Sequence, residues 1–313
     1  MSQALNLIFC GTPAFAVPTL QKLHESGFQI SLVVTQPDRP RGRGMELAGS
    51  PVKQKAFELG LAITQPQKIK HNEEYRAQLS AIRPDAIIVV GYGRIIPQWM
   101  IDLPRLGNIN LHASLLPKYR GAAPIQWAIA CGETITGVTT MRIDAGLDTG
   151  DILLQQALAI APEDTAETLV PRLAAIGADL MIDTLQGLAN GTVQARPQDK
   201  GQATLAPVLK KEDGRIDFHR SAKEICNRLR GFQPWPGAFT IFRGKNLNVW
   251  EAKPLDYKTA QVSELVIESG RLLVGCGNSS ALELLTLQPE GKKRISVRDF
   301  LHGYHPANGE RLG

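Results

Sequence analysis

The sequence predicts an α/β protein in which a Rossmann-like parallel sheet domain is followed by a smaller, OB-like β-barrel domain. A chain of 313 residues is long enough for two domains, since a typical domain has ~100–200 residues. Apolar strands alternate with helical patterns in the first half, which is typical of a parallel sheet covered by helices. Short strand patterns separated by Gly and Pro fill the last third, which is typical of a small barrel.

Apolar runs in the first half predict the parallel strands. They span residues 6–11, 30–35, 85–91 and 108–112. A helical pattern covers residues 14–26. A second helix is expected to start at Ser50, because Ser is a good N-cap and Pro51 suits the first helical position. These elements alternate as a doubly covered parallel sheet requires.

The pattern changes in the middle of the chain. Two β-rich runs lie close together, at 137–143 and 151–157, and indicate a hairpin. Residues 163–189 form a long helical stretch, which Asp164 and Glu167 open as a capping box. The sheet domain is therefore expected to end with this helix.

Residues 190–207 are polar, contain Gly and Pro and have no periodicity, so they predict a linker. The expected domains are 1–189 and 208–313. The second is predicted to begin with a helix at 221–230, with Ser221 and Glu224 as a capping box. Its predicted strands are 238–242, 247–252, 265–268, 272–274 and 282–287.

Charge is distributed unevenly along the chain. The formal net charge is +5, yet residues 1–205 balance 18 basic against 18 acidic residues, which leaves 17 basic and 12 acidic residues in 206–313. A basic excess confined to one domain indicates a polyanionic partner. Gly11-Thr-Pro does not match the dinucleotide-binding pattern and no P-loop occurs, so a nucleotide cofactor is not expected.

The cysteines and the apolar segments indicate a cytoplasmic protein. Four cysteines stand far apart without metal-ligand spacing, so free thiols and no metal site are expected. The N-terminus lacks the basic start and apolar stretch of a signal peptide, and no apolar run reaches the ~18 residues of a membrane span. No coiled-coil pattern suggests a dimer, so a monomer without membrane contact is expected.

Polar residues at the end of the fourth strand are the strongest local indication of a site. Asn110 and His112 are two residues apart on a strand, so their side chains should project from one face. Ligands of open α/β sheets bind at the carboxyl ends of the strands. Asp148 lies in a loop flanked by Gly146 and Gly150. Taken alone, these residues fit either a structural role or a catalytic one.

Several motifs in order lower the weight of the structural alternative. The stretch NxHxSLLPxxRGxxP, residues 110–124, and GLDTG, residues 146–150, resemble the folate-dependent formyltransferases. Further motifs are similar to the branch of that family that formylates the methionine on initiator tRNA: Gly11-Thr-Pro, QPDRP at 36–40, SPVK at 50–53 and RGFQPWPG at 230–237. The resemblance runs from about residue 5 to 301. It implies formyl transfer from 10-formyltetrahydrofolate to the amino group of initiator methionyl-tRNA, for translation initiation.

The resemblance also implies roles for individual residues. Asn110 and His112 are expected to donate hydrogen bonds to the oxyanion that forms when the amine attacks the formyl carbon. Asp148 is expected to accept the proton of the amine, directly or through water, and to orient the imidazole. No metal is required. The folate is expected near a strand end and a loop formed by Val90, Gly91, Tyr92, Ser114, Leu115, Leu116 and Pro117.

The expected tRNA contacts are basic residues in two regions. A long loop at 36–55 carries an RPRGRG strip that could follow a phosphate backbone, and the C-terminal domain carries short clusters of Lys and Arg. The candidates are Arg39, Arg41, Arg43, Lys210, Lys211, Lys292, Lys293 and Arg294. Three alternatives remain open: a merely solvated face, a formyltransferase for a small amine such as an amino sugar or glycinamide ribonucleotide, and a non-catalytic RNA-binding module.

Overall fold

The computed structural model describes residues 5–41, 46–257 and 260–313. Its contacts separate two compact units. The first comprises Met1–Pro124, Ile135–Ala159 and Val170–Ala206, and the second comprises Ile125–Thr134, Ile160–Leu169 and Pro207–Gly313. The division into a catalytic domain 1–189, a linker 190–207 and a C-terminal domain 208–313 stays a prediction.

The first 189 residues alternate strands and helices. The strands are β1 (Asn6–Gly11), β2 (Gln29–Val34), β3 (Arg39–Arg41), β4 (Glu46–Ala48), β5 (Ile63–Thr64), β6 (Ala86–Val90), β7 (Asn108–His112), β8 (Ile135–Arg142) and β9 (Ile152–Ala159). The helices are α1 (Val17–Glu25), α2 (Pro51–Glu58), α3 (Glu73–Ile82), α4 (Gln98–Ile101), α5 (Pro124–Ala130) and α6 (Ala166–Ala189). The predicted Rossmann-like architecture is confirmed.

Seven of the described strands form one sheet, in the order β5-β2-β1-β6-β7-β8-β9. The first five strands in this order, from β5 through β2, β1 and β6 to β7, run parallel, as predicted. The sheet is mixed, however, because β8 and β9 extend it as an antiparallel pair. The hairpin seen in the sequence could not be parallel, since its two strands are joined by a short turn. The hairpin predicted at 137–143 and 151–157 is therefore confirmed, and it forms the antiparallel edge of the sheet.

The helix boundaries follow from local capping. Helix α2 begins at Pro51 because Ser50 Oγ accepts the Lys53 N–H at 3.0 Å, as predicted. At the start of α6, Thr165 Oγ1 accepts the Thr168 N–H at 3.3 Å. Asp164 instead accepts the Ala161 N–H at 2.8 Å. The predicted capping box at Asp164 is thus displaced by one residue, because that carboxylate closes the turn before the helix.

The C-terminal part is an antiparallel sheet with two helices. Its elements are α7 (Ala222–Gly231), β10 (Ala238–Phe242), β11 (Lys245–Leu255), β12 (Leu265–Glu268), β13 (Arg271–Cys276), β14 (Ser280–Pro289), β15 (Ile295–Ser296) and α8 (Val297–Tyr304). Strand order is β10-β11-β14-β13-β12, and β15 pairs with β14. The predicted capping box is present, since Ser221 and Glu224 each accept the other's N–H. Pairing of β10 with β12, which would close a barrel, is not found among the described strands.

Two hydrophobic clusters stabilise these sheets. In the first unit, alternate residues of β1, β2 and β6 pack with α3 and α4, as Ile8, Val34, Ile87, Leu79 and Met100 illustrate. In the second, the inner faces of the strands pack around Phe300 of α8. Across the described ranges, no helix is long and apolar enough to span a membrane.

All four cysteines are free thiols, and Cys131 is exposed. Burial raises the pKa of Cys226 to about 11 and that of Cys276 to about 12. Buried Cys10 is shifted in the same direction for the same reason. A thiol is a poor nucleophile until it ionises, so these three buried cysteines behave as small apolar side chains.

Candidate active site

The predicted catalytic side chains of β7 share one face of the sheet. Leu111 points to the opposite face, where a Cβ on Gly177 of α6 would lie 2.7 Å from Leu111 Cδ2. Asn110 and His112 therefore project away from α6. Strand β7 lies between β6 and β8. Asn110 pairs with Val89 of β6 and with Met141 of β8, and His112 pairs with Thr139 of β8. This confirms that they project together near the carboxyl end of the strand.

The two side chains differ in their surroundings. Asn110 is half-buried, and its carboxamide makes no hydrogen bond to another residue in the described ranges. His112 is 5% exposed, and its Nε2 lies 2.9 Å from the carbonyl oxygen of Tyr119. A carbonyl oxygen only accepts hydrogen bonds, so Nε2 carries a proton. The nitrogen left for exchange with a substrate is therefore Nδ1.

Asp148 faces that nitrogen. Its Oδ2 lies 3.7 Å from His112 Nδ1 and accepts the Gly121 N–H at 2.9 Å. The separation from Nδ1 is longer than a hydrogen bond, and such contacts often tighten when substrate binds. A protonated imidazole would meet the carboxylate here as an ion pair. The structure thus brings together all three residues that the sequence assigned to catalysis.

The Gly-flanked turn presents Asp148 through its backbone shape. The φ angle of Asp148 is 50°, in the left-handed region that non-Gly residues rarely adopt. Asp144 closes the first half of the turn, because its Oδ1 accepts the Gly146 N–H at 3.0 Å and the Thr149 hydroxyl at 2.8 Å. The turn is therefore built to fix the direction of one carboxylate.

The loop after β7 is held by its own side chains. Ser114 Oγ donates to Lys118 O at 2.7 Å, and Leu116 is buried. Thr139 Oγ1 donates to Ser114 O at 2.7 Å and accepts the Leu116 N–H at 3.2 Å. Ser114 and Leu116 thus stabilise the loop, whereas Leu115 and Pro117 are half-buried and leave part of their surface accessible. Contact of these four residues with folate stays a prediction.

The backbone at the end of β6 is closely packed. Gly91 has a φ of 56°, and a Cβ there would lie 2.8 Å from Pro13 Cγ, so only Gly fits. Tyr92 O accepts the Thr12 hydroxyl at 3.2 Å and Gln36 Nε2 at 2.9 Å. The Tyr92 ring is buried, and burial raises the pKa of its phenol. Val90 is also fully buried, so this segment offers main-chain groups rather than side chains to a ligand.

The basic loop is less positive than its composition suggests. Lys53 forms an ion pair with Asp38 at 2.6 Å, and Lys55 forms one with Glu58 at 2.6 Å. Arg39 is exposed, and its Nη2 donates to Gln36 Oε1 at 2.8 Å. The loop expected at 36–55 contains the antiparallel pair β3 and β4, and the backbone of Arg41 lies in β3. Arg43 lies outside the described residues.

The predicted basic residues of the C-terminal part are exposed, namely Lys210, Lys211, Lys292, Lys293 and Arg294. Arg294 Cζ lies 3.2 Å from the centre of the Trp250 ring, a cation–π contact. Arg243 is a further basic residue of this part, and it donates two hydrogen bonds to Glu310, at 2.7 and 2.9 Å. Its charge therefore serves the fold rather than a ligand.

Sequence reasoning missed residues that hold the catalytic loops. Thr139 was seen only as part of a strand, although it ties the loop after β7 to β8. Gln198 lies in the segment expected to be a linker, yet its side chain contacts Arg120, Asp148 and Gly150. No local pattern marks a Gln in a polar stretch as a contact residue. Among the described residues, no cluster of three or more metal-ligating side chains occurs.

Comparison with known proteins places this arrangement in a family. The family model for formyl transferases matches residues 5–185, and the model for the C-terminal domain of formyl transferases matches residues 208–305. The chain belongs to the formyl transferase family. Its curated relatives include methionyl-tRNA formyltransferase of Koribacter versatilis, 66% identical with 98% of each chain covered. The enzyme of the same name from Acidobacterium capsulatum is 61% identical and covers 99% of this chain, with 100% of that protein.

Solved structures share the fold at lower identity. An N-formyltransferase from Helicobacter canadensis, in complex with folinic acid and dTDP-3-aminofucose, has a TM-score of 0.66 and 19% identity, covering 92% of this chain and 100% of that one. HypX from Aquifex aeolicus, in complex with tetrahydrofolic acid, has a TM-score of 0.61 and 16% identity, covering 99% of this chain and 49% of that one. At these identities the likeness establishes the fold alone.

Proposed function

We propose that this protein transfers the formyl group of 10-formyltetrahydrofolate to the amino group of methionine on initiator methionyl-tRNA. The observation that carries the proposal is the approach of Asp148 to His112, together with an Asn110 amide that makes no hydrogen bond to any residue described by the structure. The acceptor is supported by relatives that are named methionyl-tRNA formyltransferases at 44–66% identity over nearly the whole chain. The basic excess in residues 206–313 suits an RNA acceptor.

The site residues can carry out each step of such a transfer. The amine attacks the formyl carbon, which turns the carbonyl oxygen into an oxyanion and forms a C–N bond. The Asn110 amide donates to that oxyanion, and a protonated Nδ1 of His112 is a second donor. The amine loses a proton and N10 of the folate gains one as its C–N bond breaks. Asp148 accepts and returns that proton, directly or through water.

The folate is proposed to bind along the carboxyl edge of the sheet. The backbone of Val90, Gly91 and Tyr92 forms one wall there, and the loop from Ser114 to Pro117 forms another. Backbone groups fixed by packing select a flat polar ring through hydrogen bonds at low entropic cost.

We also propose that the protein acts as a cytoplasmic monomer. Sedimentation analysis of the purified protein should show a monomer, and a dimer would contradict the proposal.

Two other functions are distinguished by the acceptor. A formyltransferase for a small amine, such as an amino sugar or glycinamide ribonucleotide, would need no basic surface. A non-catalytic RNA-binding protein would not need Asn110, His112 and Asp148 in one place. The exposed basic residues and the assembled site together favour an enzyme that acts on tRNA.

The proposed function predicts a formylated product on one class of acceptor. The purified protein should convert methionine-charged initiator tRNA to the N-formyl form when 10-formyltetrahydrofolate is present. Parallel reactions contain glycinamide ribonucleotide or a nucleotide-linked amino sugar and should give no product. Formylation of either small amine without RNA, together with inert tRNA, would contradict the proposal.

The basic residues predict a salt-dependent affinity for tRNA. Phosphate contacts release counterions, so the log–log slope of affinity against salt should be about −0.7 to −0.9 per contact. Replacing both Arg41 and Arg43 by Ala should raise the KM for charged tRNA and flatten this slope. Triple replacement of Lys292, Lys293 and Arg294 should act in the same direction. Folate affinity should stay unchanged in both variants.

A matched control separates local contacts from net charge. Lys68 and Lys70 are exposed basic residues of the first unit, and replacing both by Ala removes the same charge. Their replacement should leave the salt slope as it is. If both double variants flatten the slope equally, Arg41 and Arg43 belong to a solvated face and make no specific contact.

A further inference from the structure

The segment 196–206 belongs to the first unit, and backbone hydrogen bonds hold it at both of its ends. Arg196 exchanges two backbone hydrogen bonds with Ile152, each of 2.8 Å. Arg120 donates its backbone N–H to Thr204 O at 2.8 Å, and its carbonyl accepts the Ala206 N–H at 2.7 Å. These anchors are main-chain contacts. The path of the segment therefore does not depend on the side chains between them.

Gln198 lies between the two anchors and uses the full hydrogen-bonding capacity of its side chain. Its Nε2 donates to Asp148 O at 2.9 Å and to Gly150 O at 2.7 Å. Its Oε1 accepts from Arg120 Nε at 3.1 Å and from Arg120 Nη2 at 2.7 Å. A carboxamide has two donor hydrogens and two acceptor lone pairs, and all four are engaged. Carbonyls only accept and a guanidinium only donates, so the orientation of the amide is unambiguous.

All three partners of Gln198, namely Arg120, Asp148 and Gly150, belong to the loops that contact or carry the predicted catalytic groups. Arg120 lies between Tyr119, whose carbonyl accepts from His112 Nε2, and Gly121, whose N–H binds Asp148 Oδ2. Asp148 and Gly150 belong to the turn that presents the carboxylate. One side chain thus joins the loop that orients the imidazole to the loop that faces it.

The backbone of Asp148 needs such support. Its left-handed conformation is strained for a residue with a side chain and persists only where neighbouring contacts enforce it. Asp144 closes the first half of the turn, up to Thr149. The carbonyls of Asp148 and Gly150 point to Gln198 instead. Without those two hydrogen bonds, the turn is held by Asp144 and the carboxylate by the Gly121 N–H, so the carboxylate is directed less firmly at Nδ1.

We infer that Gln198 is a positioning residue that holds the Asp148 carboxylate in line with His112 Nδ1. This inference rests on the proposed formyl transfer, because it gives Gln198 a role through Asp148 in that reaction. Gln198 itself contacts no reacting atom. Its influence is exerted through the direction of two carbonyls and one guanidinium.

The test compares variants of Gln198 that remove different contacts. Gln198→Met keeps the length and removes all four hydrogen bonds. Gln198→Glu keeps acceptors for Arg120 and loses both donors to the carbonyls. Each should lower kcat on the order of 10–100-fold, as expected for a misplaced catalytic group, with the KM values little changed. Gln198→Met also deprives the buried Arg120 guanidinium of this acceptor and should lower the thermal stability, so kcat is compared well below the unfolding temperature. Gln202→Met is the control, because that side chain is exposed and binds Asp199 within the same segment.

Two further measurements distinguish positioning from general destabilisation. In an Asp148→Asn background, Gln198→Met should cause no additional loss, since both changes act on one group. In the single variants Asp148→Asn and Gln198→Met, the 15N chemical shifts of the His112 ring should move in the same direction. This signal does not require turnover. Wild-type kcat in Gln198→Met or Gln198→Glu, additive losses, or unchanged ring shifts would overturn the inference. Absence of formyl transfer by the unmodified chain would overturn the proposed function instead and leave the ring shifts to decide on Gln198.

Discussion

Replacement of Asn110 or His112 by Ala is expected to lower kcat for formyl transfer by roughly 10²–10³, the cost of losing one oxyanion donor. The two side chains project from one face of a central strand, so removing either leaves the other in place. The side chain of Asn110 makes no hydrogen bond within the described part of the chain, so its removal should not disturb the fold. The affinity for both substrates should change little, because the donors act mainly after attack.

Asn108 on the same strand provides a matched control. It is buried, and its Nδ2 donates to Met100 O at 2.9 Å and Ile101 O at 3.0 Å. Asn108→Ala should lower the thermal stability and leave kcat unchanged well below the unfolding temperature. The assignment of Asn110 and His112 would be wrong if their variants showed wild-type turnover, or if they lost activity only as far as they lost stability.

Asp148→Asn is expected to reduce transfer by 10²–10⁴, the usual range for general acid–base catalysis. The amide has the size of the carboxylate, and its oxygen can still accept the Gly121 N–H that now binds at 2.9 Å. The turn should therefore keep its shape while the negative charge facing His112 Nδ1 is lost. Folate binding, measured separately by titration, should remain.

Asp144 in the same turn is the control for this prediction. Asp144→Asn keeps an acceptor for the Gly146 N–H and for the Thr149 hydroxyl, so it should cost far less activity. Equal losses in the two variants would mean that turn geometry, not the charge of Asp148, is what matters. Parallel loss of folate binding in Asp148→Asn would make Asp148 a structural loop residue.

The features that could be predicted from sequence are those written in a few neighbouring residues. The apolar run of β6 has all five residues buried, as an internal parallel strand requires. The shared face of Asn110 and His112 follows from the two-residue repeat of a strand. Ser50 and Ser221 cap their helices by contacts within three residues. Local patterns of this kind therefore located both the sheet and the strand that carries Asn110 and His112.

One local signal was present and missed. Helix α8 has an N-cap at Ser296 and apolar residues at Val297, Phe300, Leu301 and Tyr304, the spacing of one helix face. The helix is only eight residues long and follows closely on a strand, so it resembled part of the strand-rich region. Capping by Ser296 was the stronger indication, since its Oγ accepts the Asp299 N–H at 3.2 Å.

Other features depend on contacts between distant parts of the sequence. The carbonyl of Tyr119 accepts a hydrogen bond from His112 Nε2, which leaves Nδ1 available for chemistry. Residue types alone do not indicate which of the two nitrogens this is. Arg243 is paired with Glu310, which removes it from the basic surface. Gln198 lies 50 residues from Asp148. Partners of this kind are set by the folded backbone, and no periodicity announces them.

Helix α5 and the C-terminal part of the chain belong to one compact unit, and this affects how the protein is made on the ribosome. The Trp127 ring packs edge-on against Phe232, with 5.3 Å between centroids, and its Nε1 donates to Pro207 O at 2.9 Å. Gly231 comes so close to α5 that a Cβ would lie 2.6 Å from Gln126 O. Trp127 leaves the ribosome long before Phe232 does. During synthesis the Trp127 ring lacks this packing partner until Phe232 has emerged. The second unit can therefore be completed only when the last third of the chain has left the ribosome.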